Sequence, residues 1–162
     1  MYEYKNLLVN TAEDGITTVT INRPKALNAL DTLTLEEMKD CFNRLASDVA
    51  TKSVLITGAG PKSFVAGADL GAMSKMTVTE ARCFSVLGHA VFNAIERIPV
   101  AVVAAINGFA LAAAANWPLP VISVLLPTTP NLVSRKSTTA SFRDSVAPSV
   151  WPALSGQAKQ KR

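Results

Sequence analysis

Ser63-Phe64-Val65-Ala66-Gly67-Ala68-Asp69-Leu70 is the stretch of sequence that decides the fold. It follows a β-rich run at 53–58 and precedes a segment whose helical periodicity starts at about residue 78. Only Gly and Ala leave room for a ligand to approach backbone N–H groups closely. A small-residue turn between a strand and a helix therefore indicates a binding loop, although an ordinary connecting turn has the same composition.

Strands and helices alternate on both sides of this turn. β-rich runs are predicted at 4–10, 16–22 and 100–106. A helix from the N-cap Asp31 to about residue 50, and another at about 78–98, carry apolar residues at helical spacing. These apolar residues are Leu35, Met38, Phe42 and Leu45 in the first helix and Phe84, Leu87, Val91 and Ile95 in the second. The pattern predicts an α/β fold with a largely parallel sheet.

The basic charge of the chain is confined to its last third. The formal net charge is +4, yet residues 1–111 contain 10 Lys or Arg against 11 Asp or Glu. Residues 112–162 contain 6 Lys or Arg and a single acid, Asp144. Those basic residues are scattered and have few aromatic neighbours, so they form neither a stripe nor a stacking platform. We expect no nucleic-acid partner.

The run 98–115 is the only segment that requires a membrane test. It is nearly all apolar and approaches the length of a spanning helix. Pro99, Asn107 and Gly108 interrupt it, and a buried strand of a parallel sheet explains 100–106 better. We expect no membrane insertion.

The cysteines and the N-terminus bear on localisation. Cys41 and Cys83 fall within the predicted helices, and the N-terminus has no signal-peptide pattern. We therefore expect a cytoplasmic protein with reduced thiols. Because His89 is the only histidine, no metal cluster and no Ser-His-Asp triad is predicted.

Three motifs in register carry a family resemblance. They are Ile-Asn-Arg-Pro-Lys-Ala-Leu-Asn-Ala-Leu at 21–30, the turn at 63–70, and Ala-Ile-Asn-Gly-Phe-Ala-Leu at 105–111. From about residue 5 to residue 111 the chain resembles the enoyl-CoA hydratase (crotonase) family. The resemblance implies a crotonase-like ββα spiral, of which this chain has the N-terminal part. It also implies an acyl-CoA substrate, no cofactor, and homotrimers or hexamers whose oligomer-forming segment is missing here.

The resemblance also assigns site residues. Family enzymes stabilise an enolate-like anion on the thioester oxygen with two backbone N–H groups, the first of which corresponds to Ala68. The second corresponds to Ala113, where the family has Gly. Family positions that line the substrate site correspond to Ala26, Leu27, Ala66, Gly67, Ala68, Asp69 and Leu70.

The two catalytic glutamates of hydratases correspond to Asn116 and Lys136. Neither side chain can accept a proton at pH 7, and each proton transfer contributes roughly 10²–10⁴ in rate. Glu36, Glu37, Glu80 and Glu96 are interpreted as solvated helix charges rather than substitutes. The chain as written is therefore predicted to be catalytically deficient.

Residues 112–162 form a different kind of sequence. They contain 6 of the 9 prolines and 11 Ser or Thr, and no strand longer than 121–126 is predicted there. We predict a division into a crotonase-like portion, 1–111, and an aberrant Pro/Ser-rich tail, 112–162, which is poorly ordered.

A frame-shifted reading explains this tail. The family has Gly-Gly-Gly-Cys-Glu-Leu where this chain has Ala-Ala-Ala-Ala-Asn-Trp at 112–117. Loss of one G from GGC GGC GGC TGC GAA CTG G gives codons for the latter six residues. The same shift converts Pro-Glu codons into those for Arg135 and Lys136, and family-like sequence returns at 156–159. The hypothesis is that 112–155 are a frame-shifted translation.

Three functions from different classes remain open. The first is an enzyme of fatty-acid or butyrate metabolism, with the 22–30 motif favouring a hydratase over an isomerase. The second is a catalytically dead fragment that binds CoA weakly through 66–69. The third is a membrane or interaction module that uses 98–126. For the polypeptide as written, the replacements Asn116 and Lys136 favour the second.

The frame-shift hypothesis predicts the nucleotide sequence around codons 111–113 and 155–156. We expect a base missing at the first position and a base gained at the second, relative to a reading frame that encodes both glutamates. Resequencing of the coding DNA checks this. A neighbouring frame without family-like sequence between these codons would contradict it.

Overall fold

The fold is described from a computed structural model. The structure describes residues 3–110 and the backbone of residues 122–125. Contacts divide the chain into two units, Met1–Thr129 and Pro130–Arg162, and all described residues belong to the first. Most of the predicted tail lies outside the described residues, so its separate character stays a prediction.

A five-stranded sheet in the order β1-β2-β3-β5-β7 forms one layer, and two helices pack beside it. Its first pair is antiparallel and the other three are parallel. The strands are β1 (Leu7–Thr11), β2 (Ile16–Ile21), β3 (Ser53–Gly58), β5 (Ala101–Ile106) and β7 (Ile122–Leu125). The predicted α/β class with a largely parallel sheet is confirmed.

The second layer contains two long helices and one short helix: α1 (Thr32–Leu45), α2 (Leu70–Met73) and α3 (Val78–Glu96). A second, two-stranded parallel sheet pairs β4 (Ser63–Val65) with β6 (Phe109–Ala110). Neither strand of this pair, nor α2, was predicted. Each has only two to four residues, too few to show a period of their own.

Helix α1 has the predicted N-cap and the predicted buried face. The Asp31 carboxylate accepts a hydrogen bond from the Thr34 backbone N–H at 2.8 Å. All four predicted core residues of the helix are buried. The predicted end at about residue 50 is wrong, because the helix ends at Leu45. Asp48 is the physical reason, since its carboxylate accepts from the Ala50 N–H and the Thr51 hydroxyl and forms a local turn.

Helix α3 begins with a capping box and ends two residues before the predicted limit. The Thr77 hydroxyl accepts from the Glu80 N–H, and the Glu80 carboxylate accepts from the Thr77 N–H. Of the predicted apolar face, Val91 and Ile95 are buried, whereas the N-terminal half is only partly covered. The first half of α3 therefore borders open space.

The apolar run 98–115 contains a strand rather than a membrane helix over its described part. β5 pairs in parallel with β3, with Val102 opposite Val54. Among the described residues, no helix is long and apolar enough to cross a membrane. On its other side β5 pairs with β7, with Val103 opposite Ile122.

Gly58, the last residue of β3, lies directly against the backbone of β4. A Cβ at this position would overlap the carbonyl oxygens of Phe64 and Ser63, both of which are backbone atoms and cannot rotate away. By contrast, Gly88 in α3 has open space, since its added Cβ would meet only Leu35 Cδ1 at 4.0 Å.

Gly58→Ala and Gly88→Ala form a matched pair of variants. We expect Gly58→Ala to lower the free energy of unfolding by about 1–3 kcal/mol through steric overlap. We expect Gly88→Ala to raise it by about 0.5–1 kcal/mol through helix propensity. Urea unfolding followed by circular dichroism measures both. Equal effects of the two substitutions would contradict the close approach at Gly58.

Candidate functional site

The small-residue turn 66–69 lies directly against the segment 27–30. The Ala66 N–H donates to the Leu27 carbonyl at 3.2 Å. The Leu30 N–H donates to the Gly67 carbonyl at 2.8 Å, and the Asp69 N–H donates to the Leu30 carbonyl at 2.9 Å. Gly67 has φ +99°, a conformation that side-chain-bearing residues rarely adopt. Two motifs nearly 40 residues apart in the sequence therefore form one backbone structure.

The Ala68 amide is left out of this pairing. Leu30 and Ala68 form an isolated parallel bridge, in which Leu30 bonds to the residues on either side of Ala68. In a parallel bridge of this kind, the N–H of the flanked residue points to the opposite side. Within residues 3–110, the Ala68 N–H donates to no protein acceptor. The amide therefore retains its capacity to donate to a ligand.

Two consecutive residues of the segment 27–30 adopt left-handed backbone conformations. Leu27 has φ 52° and Asn28 has φ 56°. The Asn28 side chain is fully buried and makes three hydrogen bonds: it accepts from the Arg23 N–H and donates to the carbonyls of Ala59 and Ser63. These bonds offset the cost of the unusual backbone.

A second asparagine, Asn107, also bonds to the loop between β3 and β4. The Asn107 amide nitrogen donates to the carbonyls of Gly58 and Gly60, each at 2.6 Å, and its oxygen accepts from the Gly58 N–H. Asn28 and Asn107 both occur in the motifs that carry the resemblance, yet no role for either was predicted. The sequence feature that could have indicated a structural role for them is a polar residue within a largely apolar motif.

Asp69 connects the turn to helix α2 and to a cation. Its carboxylate accepts from the Ala72 N–H at 3.1 Å and so caps α2. Its other oxygen contacts the Arg23 guanidinium at 3.1 Å. The Ala72 hydrogen bond, followed by the neighbouring Arg23, holds the pKa of Asp69 below its usual range. Asp69 is therefore a charged structural anchor of the turn.

A cleft of roughly 500 Å³ opens between the start of α1, the end of α2 and the first half of α3. It is lined by Thr32 and Glu36 from α1, by Ala72, Lys75 and Met76 from α2 and the residues after it, and by Glu80, Cys83, Phe84 and Leu87 from α3. The cleft has apolar side chains on one wall and charged groups at its edge. Its lining explains why the N-terminal half of α3 is only partly covered.

Two acidic residues of α1 and α3 have structural partners. Glu80 belongs to the capping box of α3. Glu37 accepts from the backbone N–H groups of Lys5 and Asn6, each at 2.8 Å, and thereby fixes the start of the chain on α1. For both residues the interpretation as purely solvated charges was incomplete, because each carboxylate satisfies backbone donors. Both carboxylates therefore have structural roles in addition to their charge.

The two cysteines differ in environment. Cys41 lies in the core, where burial raises the pKa of its thiol to about 12. Cys83 is exposed on α3. Both thiols are free. Among the described residues, no group of three His, Cys, Asp or Glu side chains could hold a metal ion.

The structure brings together the sequence-predicted substrate residues of two motifs. Ala66, Gly67, Ala68 and Asp69 pair with the segment that contains Leu27. Ala26 ends a short 3₁₀ turn, Pro24–Ala26, and is half-buried, while Leu70 is exposed at the start of α2. Ala113, Asn116 and Lys136 lie outside the described residues, so their predicted roles stay predictions.

Comparison with known proteins gives the family. The sequence model of the family described as enoyl-CoA hydratase/isomerase matches residues 11–119. The chain is 47% identical over 106 residues to a short-chain-enoyl-CoA hydratase of Clostridium acetobutylicum. It is 46% identical over 108 residues to a crotonyl-CoA hydratase of Syntrophomonas wolfei. These matches cover 65% and 67% of this chain and 41% of each relative.

Solved structures support the same assignment. The fold is similar to an enoyl-CoA hydratase from Bacillus anthracis with a TM-score of 0.69 at 30% identity, covering 74% of this chain and 47% of that one. The chain therefore belongs to the enoyl-CoA hydratase/isomerase family, and the predicted crotonase-like fold is confirmed. It spans about two fifths of the length of the curated relatives that it matches.

The lowered pKa of Asp69 predicts a pH dependence of stability. A carboxyl group whose pKa is lower in the folded state stabilises the fold at pH values above its unfolded pKa of about 3.9. That contribution is lost as the pH falls from there through the folded pKa.

Asp69→Asn tests this dependence, because Asn retains a capping oxygen but no charge. We expect the variant to be less stable by about 1 kcal/mol at pH 7. The difference should shrink as the pH falls below about 4. Urea unfolding between pH 7 and pH 3 measures it, and a difference that does not depend on pH would contradict the assignment.

Proposed function

We propose that this chain binds the thioester group of a short-chain acyl-CoA through the Ala68 N–H. The observation that supports it most directly is the turn geometry: the pairing with Leu30 leaves the Ala68 amide without an acceptor within the described residues. A backbone donor held in a rigid turn is what stabilisation of a thioester oxyanion requires. The substrate of the relatives named above is an enoyl-CoA.

The reaction of the lineage is, on this proposal, reversible syn addition of water to a 2-enoyl-CoA, giving a 3-hydroxyacyl-CoA. The thioester carbonyl withdraws electrons from the double bond, and hydrogen bonds to its oxygen stabilise the enolate that forms at the adjacent carbon. No cofactor is required, because the water and the thioester supply all the atoms. The cleft beside α2 and α3 includes the apolar side chains of Met76, Phe84 and Leu87, which could contact a short acyl chain.

The chain as written supplies only part of this machinery. Hydration needs a group that takes a proton from water and one that delivers a proton to carbon, and the positions assigned to them hold Asn116 and Lys136. We therefore propose a thioester-binding protein with hydration at background level. Cytoplasmic location and the family's homotrimeric or hexameric assembly stay predictions.

Ala68→Pro tests the proposed donor, because proline lacks the backbone N–H. The measurement is the dissociation constant of crotonyl-CoA compared with that of free CoA, which lacks the thioester carbonyl. We expect the unaltered chain to prefer crotonyl-CoA, and the variant to lose that preference by roughly tenfold. Free CoA is the internal control, since its binding should survive.

Two results would contradict the proposal. Equal affinity of the unaltered chain for crotonyl-CoA and CoA would exclude recognition of the thioester. Measurable hydration of crotonyl-CoA, monitored as a decrease in its absorbance, would show that other acids replace the two glutamates.

A further inference from the structure

The Arg23 guanidinium contacts groups on both segments of the site. One of its terminal nitrogens lies 3.0 Å from the Asp31 carboxylate and 3.1 Å from the Asp69 carboxylate. The other terminal nitrogen donates to the Ala29 carbonyl. The side chain of Arg23 is only 19% exposed. One cation therefore joins the 29–31 segment to the end of the turn 66–69.

Both carboxylates that Arg23 contacts are helix caps. One oxygen of Asp31 accepts from the Thr34 N–H and caps α1, and one oxygen of Asp69 accepts from the Ala72 N–H and caps α2. In each case the second oxygen contacts Arg23. The guanidinium therefore ties the first turns of two helices to each other, and both helices contribute residues to the cleft.

The Ala68 amide lies between two anchored neighbours. The Gly67 carbonyl is held by Leu30, and Asp69 is held by Leu30 through its backbone and by Arg23 through its side chain. Backbone pairing fixes the distance between the two segments. The Ala68 N–H belongs to the Gly67–Ala68 peptide, whose carbonyl Leu30 holds, and the Arg23 contact restrains the chain on the other side of Ala68, at Asp69.

We infer that Arg23 is a positioning residue for the thioester site, acting through Asp69 and the Ala29 carbonyl on the direction of the Ala68 N–H. This inference rests on the proposed function, which makes that N–H the donor to the thioester. Without Arg23, two carboxylates that contact the same nitrogen are left as close neighbours of like charge, and they repel each other. The repulsion moves Asp69, and the turn, away from the 29–31 segment.

Arginine is suited to this position by its geometry. Its planar fork presents two nitrogens at a fixed separation, one for the two carboxylates and one for the carbonyl. A lysine ammonium carries the charge at a single point and cannot keep both arms of the contact. Arg23→Lys should therefore restore only part of what Arg23→Gln loses.

The test uses Arg23→Gln and Arg23→Lys, with Arg44→Gln as the matched control. Arg44 pairs with Asp40 near the other end of α1, so its substitution removes an arginine ion pair away from the turn. The first measurement is amide hydrogen exchange without ligand at Ala66 and Asp69, the two amides of the turn that donate to the 27–30 segment. We expect exchange roughly tenfold faster in Arg23→Gln, an intermediate rate in Arg23→Lys, and no change in the control.

The second measurement is the preference for crotonyl-CoA over free CoA, together with the infrared stretching frequency of the bound, isotopically labelled thioester carbonyl. We expect Arg23→Gln to reduce the preference by roughly tenfold and to shift the carbonyl frequency towards that of the free ligand. If Arg23→Gln does not fold, Arg23→Lys is compared with the control in both measurements.

The outcomes separate this inference from the proposed function. Unchanged exchange at Ala66 and Asp69 in folded Arg23 variants overturns the positioning role. A loss of affinity that is equal for crotonyl-CoA and CoA also overturns it, because it indicates a structural effect alone. Absence of any thioester preference in the unaltered chain overturns the proposed function, and the exchange measurement still shows whether Arg23 holds the turn.

Discussion

The hydrogen bonds between Leu30 and the turn 66–69 are the constraint on which the rest of the site depends. They join two loops, each of which alone would be an ordinary connection between a strand and a helix. Because Leu30 bonds to the residues on both sides of Ala68, the Ala68 N–H is left without an acceptor among the described residues. Selective backbone pairing thus leaves a donor open to the ligand that we propose.

Polar side chains inside the fold keep this pairing in place. Asn28 and Asn107 satisfy the carbonyls of the loop between β3 and β4, and Arg23 neutralises the two helix-capping aspartates. These residues are buried or nearly so, and each makes several hydrogen bonds at once. Loss of one partner leaves buried polar groups unpaired, which costs more than the bond itself. Asn28, Asn107 and Arg23 thus support the turn, and the substrate roles predicted for Ala26 and Leu27 stay predictions.

Much of the fold could be predicted from the sequence, because long elements have clear periods. The buried face of α1 and the strand at 101–106 were both predicted correctly. The end of α1 was not, since the competing side-chain bonds of Asp48 are a local detail that apolar spacing does not reveal. The roles of Arg23 and Asn28 depend on contacts across the fold. Sequence spacing cannot supply those distances.

The pairing of β5 with β7 bears on how the sheet ends. A parallel strand such as β5 carries unpaired N–H and C=O groups along any side that has no neighbour, and such an edge templates association with other chains. Here the residues 122–125, beyond the last residue of the family match, occupy that side. Backbone hydrogen bonding is indifferent to side-chain identity. A short β-forming stretch of any origin can therefore protect an edge that the family's own sequence would otherwise cover.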